Sequence, residues 1–228
     1  MKGNISSYMV LLVAGILFSL ATGCDNKVES PDPVTDIDGN SYKTERIGDQ
    51  IWMVENLKTS TFSDGIEIPV VPDAIDWNEL TTPGHCWYDN DETANKEIYG
   101  ALYNYYAVNS GKLCPAGWHV PSRDEWQQLR DDLGDTITGG GELKEEGTEH
   151  WKTPNTGAVN STGFTALPAG IRYFEGTFNS VTFFTSFWSS TESDINKGWY
   201  LSLYYSDAVA LINSISKKDG FSVRCLKD

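Results

Sequence analysis

The clearest hydrophobic pattern lies near the middle of the chain. Trp126, Leu129 and Leu133 recur at intervals of three and four residues, which places them on one face of an amphipathic helix. Ser122 and Glu125, three residues apart just before this pattern, form the sequence of a capping box. We therefore predict a helix that begins after the serine and packs its apolar face on a core.

Short apolar runs predict strands at both ends of the chain. Near the N-terminus, two runs flank the turn residues Gly48 and Asp49 and predict a hairpin formed by residues 41–47 and 50–54. Near the C-terminus, three runs separated by short polar turns predict an antiparallel meander, formed by residues 199–205, 208–215 and 221–226.

The middle of the chain has a second helical pattern and long loops. Apolar residues spaced over residues 100–108 predict a core helix. Residues 139–176 are rich in Gly, Thr, Asn and Pro and predict loops with one short helix near residues 142–146. Strands from both chain ends with two helices between them and long irregular loops indicate an α+β fold whose strands are antiparallel.

The first residues have the features of an export signal. Lys2 precedes an apolar run that is shorter than the roughly 20 residues of a membrane span. Three small residues then precede Cys24, as in a bacterial lipoprotein signal that is cleaved before a lipidated cysteine. The alternative is an ordinary signal peptide with a free or disulfide-bonded Cys24. We predict a signal over residues 1–23, a polar tether over 24–35 and one domain over 36–228.

Charge and composition narrow the classes of partner. The chain has 17 Lys and Arg against 32 Asp and Glu, a formal net charge of −15. A nucleic-acid reader needs a basic face to neutralise phosphates, so no nucleic acid is expected as a partner. A hydrophobic content of 39% is sufficient for one sizeable core. The acidity predicts a partner that is neutral or basic and disfavours a polyanionic glycan.

Three cysteines remain after Cys24, in an exported chain whose compartment permits disulfides. Three single pairings are open. We predict Cys114 with Cys225, because the first precedes the clearest helix and the second lies in the last strand-like run. Cys86 is then a free, buried thiol. The wide spacing of these cysteines disfavours a metal or redox site.

Aromatic residues are the main candidates for ligand contact. The chain has eight tryptophans, eleven tyrosines and nine phenylalanines, more than a core of this size needs. Tyr and Trp combine an apolar face with a hydrogen-bonding tip, which suits glycan stacking or a protein interface. The candidates in the long loops are Trp77, Trp87, Tyr88, Trp151, Tyr173 and Phe174, whereas Trp188 is predicted to be structural.

Polar clusters give weaker signals. The acidic run around Asp89 and Asp91 is interpreted as a solvated loop, with a calcium site as the alternative, since hard cations need six or more oxygen ligands. The three histidines have no G-x-S-x-G partner. His119, between Trp118 and Val120, is predicted to be a neutral buried histidine. No catalytic residue is assigned.

Ordered phrases along nearly the whole predicted domain resemble a known family. They include GDQIWMVENL after position 47, LCPAGWHVPS from position 113, GFTALPAG from position 163 and FSVRC from position 221. These phrases resemble the Fibrobacter succinogenes major paralogous domain family. The resemblance implies an exported, often lipid-anchored bacterial protein whose fold is similar to the C-type lectin-like and formylglycine-generating-enzyme folds, and it implies no particular activity.

We therefore expect a non-catalytic lipoprotein of the bacterial cell envelope, at the outer membrane or cell surface. It is expected to bind a neutral glycan or an extracellular protein and to touch the membrane only through its lipid anchor. One alternative is a structural component of the envelope or of a pilus. The other is an oxidase resembling the formylglycine-generating enzymes, which bind copper through a cysteine pair. No cofactor is expected, with calcium as the open alternative.

Overall fold

The computed structural model describes Gly3, residues 31–134 and residues 138–228. The predicted export signal, the predicted lipidation site Cys24 and most of the predicted tether lie outside the described residues. None of the helices found in the described ranges has the length and apolar character that crossing a membrane requires.

Strands from both chain ends meet in one four-stranded antiparallel sheet. Strands β3 (Thr44–Ile47) and β4 (Gln50–Met53) form the predicted hairpin. The other two strands are β7 (Trp118–His119) and β13 (Leu226–Lys227), and the sheet order is β3-β4-β13-β7. The pairing of β4 with β13 confirms that the N-terminal and C-terminal strands come together.

A three-stranded antiparallel sheet provides the longest strands. It consists of β10 (Phe184–Asp194), β11 (Lys197–Tyr204) and β12 (Leu211–Ser216) in that order. The predicted pairing of the last two strands is confirmed. The prediction that residues 221–226 form the third strand of this meander is wrong, because the third strand is β10, which pairs with β11 on the edge opposite β12. Residues 221–225 instead cross the core, where their carbonyls accept from the backbone N–H groups of Met53, Leu57 and Tyr103.

Short elements complete the described part of the chain. Three two-stranded sheets are formed by β1 (Val34–Thr35) with β2 (Ser41–Tyr42), β5 (His85–Cys86) with β6 (Leu102–Tyr103), and β8 (Ile171–Arg172) with β9 (Phe178–Asn179). The helices are α1 (Ala74–Glu79), α2 (Glu92–Tyr99), α3 (Tyr105–Val108), α4 (Arg123–Asp132) and α5 (Gly139–Leu143). Strand β1 lies at the end of the predicted tether.

Helix α4 confirms the prediction made from the capping box. The Ser122 side chain accepts from the Glu125 backbone N–H (3.2 Å), and the Glu125 carboxylate accepts from the Ser122 backbone N–H (2.7 Å). Trp126 and Leu129 are buried. Local sequence signals are sufficient here because the cap and the apolar face agree.

The predicted helix over residues 100–108 is only partly present. Its first half is the strand β6, and α3 covers four residues. Asn104 separates the two elements, since its side chain caps α3 by accepting from the Ala107 N–H (3.0 Å) and also accepts from the Gly84 N–H (3.1 Å). Pairing with β5 therefore overrides the helical spacing.

The short helix predicted near residues 142–146 is α5, which lies slightly earlier and contains the three glycines. A Cβ at Gly140 would lie 2.6 Å from the Val209 carbonyl carbon, and one at Gly141 would lie 2.1 Å from the Gly157 oxygen. These glycines therefore permit close backbone packing and do not form a loop for a phosphate.

The three-stranded sheet separates two parts of the core. On one face, Phe187, Leu201 and Leu203 pack with Trp126 of α4. On the other face, Trp188 lies in a cluster that also holds the bonded cysteines. Trp188 is fully buried, as predicted.

The predicted disulfide is confirmed. Cys114 and Cys225 are bonded with an S–S distance of 2.03 Å, and Cys86 is a free, buried cysteine. The bond connects the segment before β7 to the segment before β13. The loop that it closes therefore contains more than half of the residues of the predicted domain.

Candidate functional site

A cleft of about 380 Å³ lies on the face of the three-stranded sheet opposite α4. Its walls are mainly aromatic, and we call it the aromatic cleft. The principal wall residues are Tyr173, Phe183, Phe184, Tyr200, Tyr204 and Tyr205. Such a concave, aromatic surface with a few polar groups is typical of small-ligand sites.

Strand alternation explains why these side chains converge. Successive residues of a strand point to opposite faces of a sheet, so Phe184 and Ser186 face the cleft while Phe187 faces α4. Phe184 pairs with Tyr204 across β10 and β11, and their rings stack with centroids 5.4 Å apart. The next pair, Phe183 and Tyr205, meets edge to face at 5.4 Å and forms the rim.

Ser186 is the polar group within this aromatic wall. Its side chain is 1% exposed, and within the described part of the chain its Oγ has no hydrogen-bond partner. A buried hydroxyl without a partner costs free energy, so each such group in a folded protein needs an explanation. Ser186 lines the aromatic cleft, so this unpartnered hydroxyl is buried directly beneath the aromatic wall.

Asp219 holds the segment that forms one wall of the cleft. Its Oδ1 accepts from the Phe174 backbone N–H at 2.7 Å, next to Tyr173. Asp219 is 1% exposed. Burial raises the pKa of its carboxyl to about 7, against the opposing effect of the Phe174 hydrogen bond. The wall is thus tied to a carboxyl that titrates near neutral pH.

A second cleft, of about 360 Å³, is lined mainly by polar and charged residues, and we call it the polar cleft. Arg224 lines it and is nearly fully buried. Its guanidinium donates to Asn56 Oδ1 (2.7 Å) and to the carbonyl oxygen of Phe164 (2.7 Å). Burial lowers the pKa of Arg224 to about 9. These bonds show that the arginine has a structural role in the wall.

Glu145 and His150 form another part of the polar cleft wall. His150 Nδ1 lies 2.8 Å from Glu145 Oε1 and 3.0 Å from Glu145 Oε2. Glu149 joins them, and one ligand-type atom from each of the three residues lies within 4.8 Å of the others. Within the described ranges this is the group of three His, Cys, Asp or Glu residues with spacing suited to a metal ion.

The model of the Fibrobacter succinogenes major domain matches residues 46–227. The chain belongs to this family. The match confirms the resemblance predicted from the sequence, and it covers the disulfide, the aromatic cleft and all of the polar cleft except Lys43. No curated protein and no solved structure matches the chain.

In this Fibrobacter succinogenes major domain, four of the six predicted ligand-contact residues are buried. Trp77, Trp87, Tyr88 and Trp151 are at most 8% exposed. These four rings therefore do not form open stacking surfaces in this structure, and ligand contact at them stays a prediction.

Each of the four buried residues has a packing role. Trp77 lies under the guanidinium of the buried Arg172, 4.3 Å from its ring centroid. Trp151 donates from Nε1 to the Ala166 carbonyl oxygen at 2.9 Å. Trp87 lies beneath the ammonium group of a lysine, and Tyr88 packs on the ring of a phenylalanine.

The other two predicted residues lie at the aromatic cleft. Tyr173 lines it, and Phe174 is 47% exposed beside it. Ser186, Phe183 and the Tyr204–Tyr205 pair were not among the residues predicted from the sequence to contact a ligand. The available signal was the occurrence of adjacent aromatics, Phe183-Phe184 and Tyr204-Tyr205, in two neighbouring strand-forming segments.

The surroundings of His119 differ from the prediction made from the sequence. His119 is half-buried, with Nδ1 2.6 Å from Asp228 and Nε2 2.9 Å from Glu125. Burial lowers its pKa, but hydrogen bonds to the two carboxylates outweigh burial and raise the pKa overall. The prediction that His119 is buried is therefore wrong, whereas His85 is fully buried, and burial lowers its pKa to about 4.

The acidic loop near α2 has a structural use. Asp91 caps α2 by accepting from the Ala94 N–H at 3.0 Å, and Asp89 is exposed. In the described ranges, no third His, Cys, Asp or Glu joins them in a group suited to a metal ion. Calcium binding at Asp89 and Asp91 stays a prediction.

Proposed function

We propose that this domain is a non-catalytic binding module that holds a neutral glycan in the aromatic cleft. The single observation that carries the proposal is the unpartnered Ser186 hydroxyl within an aromatic wall. Sugars present apolar C–H faces, which stack on aromatic rings, and hydroxyl groups, which pair with polar side chains. The aromatic cleft offers both kinds of contact side by side.

The charge of the chain supports a neutral ligand. A net charge of −15 repels a polyanionic glycan over distances up to about a Debye length, roughly 8 Å at physiological ionic strength. Tyr200 provides a hydrogen-bonding tip without adding charge at neutral pH, since burial raises its pKa to about 12.

The cysteines support a module without oxidase chemistry. A copper-binding oxidase of the formylglycine-generating type needs a cysteine pair, and Cys114 and Cys225 are used in the disulfide. Burial raises the pKa of the remaining described cysteine, Cys86, to about 11, which keeps it a thiol at neutral pH.

We also propose the predicted location and fold type. The disulfide fits an exported protein, because such bonds persist in oxidising compartments. A lipid on Cys24 would anchor the domain to the cell envelope, at the outer membrane or cell surface, and two or more acyl chains give stable anchoring. The pairing of β4 with β13 supports a C-type lectin-like arrangement, in which the two chain ends share a sheet.

A glycan array tests the ligand proposal. The mature domain is applied with and without chelator, and we expect binding to neutral oligosaccharides in both conditions. The Ser186→Ala variant removes one ligand hydrogen bond of about 1 kcal/mol and is expected to weaken binding roughly fivefold. The free energy of unfolding of the Ser186→Ala variant should be equal to or higher than that of the unmodified protein, because the deleted hydroxyl has no protein partner.

Thr185→Val is the matched control. The Thr185 hydroxyl is also buried without a partner, but it does not line the cleft. It should leave binding unchanged. Equal losses in the two variants, or binding to extracellular proteins with no binding to glycans, would overturn the glycan proposal.

A further inference from the structure

Glu145, Glu149 and His150 form a group whose geometry is close to that of metal ligands. Ligand atoms on one transition-metal ion, each about 2.1 Å from it, are spaced about 3 Å apart when they are neighbours in the coordination shell. His150 Nδ1 and the Glu145 carboxylate oxygens already converge, since they are hydrogen-bonded at 2.8 and 3.0 Å, and a bound ion would take the place of the hydrogen between them. Glu149 is exposed, so its side chain is free to rotate toward the other two.

The short loop that carries these ligands is fixed by other contacts. Asn155 is buried and donates from Nδ2 to the carbonyl oxygens of Glu145 (2.9 Å) and Gly147 (2.6 Å). The ring of His150 meets the edge of the Tyr99 ring with centroids 6.1 Å apart. Ligands held in this way lose less conformational entropy when an ion binds.

The ligand types select the class of ion. One imidazole nitrogen and two carboxylate oxygens suit zinc and neighbouring transition metals, whereas calcium and magnesium prefer oxygen ligands alone. Two carboxylates around one site attract a divalent cation. Glu149 has no hydrogen-bond or ion-pair partner among the described residues, so no existing contact is lost when it turns to an ion.

We propose that Glu145, Glu149 and His150 bind a divalent transition-metal ion, Zn²⁺ or a close equivalent, at the wall of the polar cleft. Glu145 and His150 line that cleft. Three protein ligands leave a fourth coordination position, which opens to the cleft and is filled by water or by a group of a bound partner. The site is separate from the aromatic cleft, and the proposal does not depend on the proposed glycan binding.

Zinc titration of the metal-free domain tests the proposal. Competition with a chromogenic chelator is expected to give one Zn²⁺ per chain, and Co²⁺ is expected to give a d–d absorption spectrum typical of nitrogen and oxygen ligands. Glu149→Gln and His150→Gln are each expected to weaken Zn²⁺ binding at least about tenfold, since even the loss of an outer-layer partner costs tenfold or more. Glu149 is exposed, so its variant keeps the fold.

Two controls separate this site from other sources of binding. Glu146→Gln alters an exposed carboxylate in the same loop that is not part of the group, and its affinity for Zn²⁺ should be unchanged. His119→Gln removes a histidine outside the group, one that contacts the carboxylates of Glu125 and Asp228, and it should also leave Zn²⁺ affinity unchanged. Absence of Zn²⁺ binding, an equal loss in Glu146→Gln, or a loss in His119→Gln but not in His150→Gln would overturn the proposal.

Discussion

Titration of the buried Asp219 should dominate the pH dependence of the free energy of unfolding between about pH 5 and about pH 8. Burial raises its pKa from 3.8 to about 7 in the folded protein. The folded state therefore binds this proton more tightly than the unfolded state does. The free energy of unfolding consequently falls as pH rises from the unfolded pKa through the folded one.

Asp219→Asn isolates this effect. The amide oxygen of the variant retains the hydrogen bond from the Phe174 N–H, but the side chain no longer ionises. Between about pH 5 and about pH 8, the free energy of unfolding of the unmodified protein should fall by about 2 to 3 kcal/mol more than that of the variant. Urea unfolding followed by circular dichroism at several pH values measures the difference.

Asp194→Asn is the matched control. Asp194 is exposed, and its carboxylate also accepts a backbone N–H, from Asn196. The free energy of unfolding of the Asp194→Asn variant should change with pH in the same way as that of the unmodified protein. If the free energies of unfolding of the Asp219→Asn variant and of the unmodified protein change equally with pH, the link between burial of the Asp219 carboxyl and stability is refuted.

Three further predictions concern other buried or paired groups. Replacing both Cys114 and Cys225 with Ala should lower the free energy of unfolding by about 4 to 5 kcal/mol, because the bond spans 111 residues, as urea unfolding would show. Arg172→Met leaves buried carbonyl groups without donors and should cost about 3 kcal/mol or more in the same assay. The carboxylate contacts of His119 raise its folded pKa above the unfolded value of 6.5, so they stabilise the folded protein fully below that value. This stabilisation should disappear as pH rises through the raised folded pKa. His119→Gln should remove this pH dependence of the free energy of unfolding.

Each of these predictions has a distinct control. Cys86→Ala alters a buried thiol that closes no loop, so it should cost far less than loss of the disulfide, and an equal cost would contradict the loop argument. Arg172→Lys keeps the charge and should retain part of the stability. For His119, stability that stays constant with pH in the unmodified protein after correction for Asp219 would show that its two carboxylate contacts contribute little.

Local signals in the sequence were sufficient for several elements. The capping box of α4 and the turn at Gly48 and Asp49 specify their elements within a few residues, so the helix and the hairpin follow directly. The disulfide was also predictable, since three cysteines remain once Cys24 is assigned to lipidation, and Cys114 and Cys225 lie beside the clearest helix and in the last strand-like run. These features depend little on distant contacts.

Other features depend on tertiary packing and were not predictable from spacing. Residues 221–225 have the composition of an ordinary strand, but they are drawn into the core between β4 and β6. The helical spacing before α3 gives way to pairing of β6 with β5. In both segments, long-range backbone hydrogen bonds outweigh local preference.

The candidate site was only partly predictable for the same reason. Aromatic composition indicated a binding surface, but it did not separate buried rings such as Trp77 from the exposed Phe174. Recognising the aromatic cleft requires the register that places Phe184 opposite Tyr204. The unpartnered Ser186 hydroxyl is likewise visible only in the folded structure.

Mapping of ligand contacts by NMR tests the central claim most directly. The isotope-labelled mature domain is titrated with neutral cello-, malto- and xylo-oligosaccharides while amide and hydroxyl signals are followed. Glycan binding in the aromatic cleft predicts that shifts concentrate at Ser186, Tyr173 and Tyr204, and that they are reduced in Ser186→Ala but not in Thr185→Val. Shifts that concentrate at the polar cleft around His150, or no shifts with any of the three sugars, would contradict the claim.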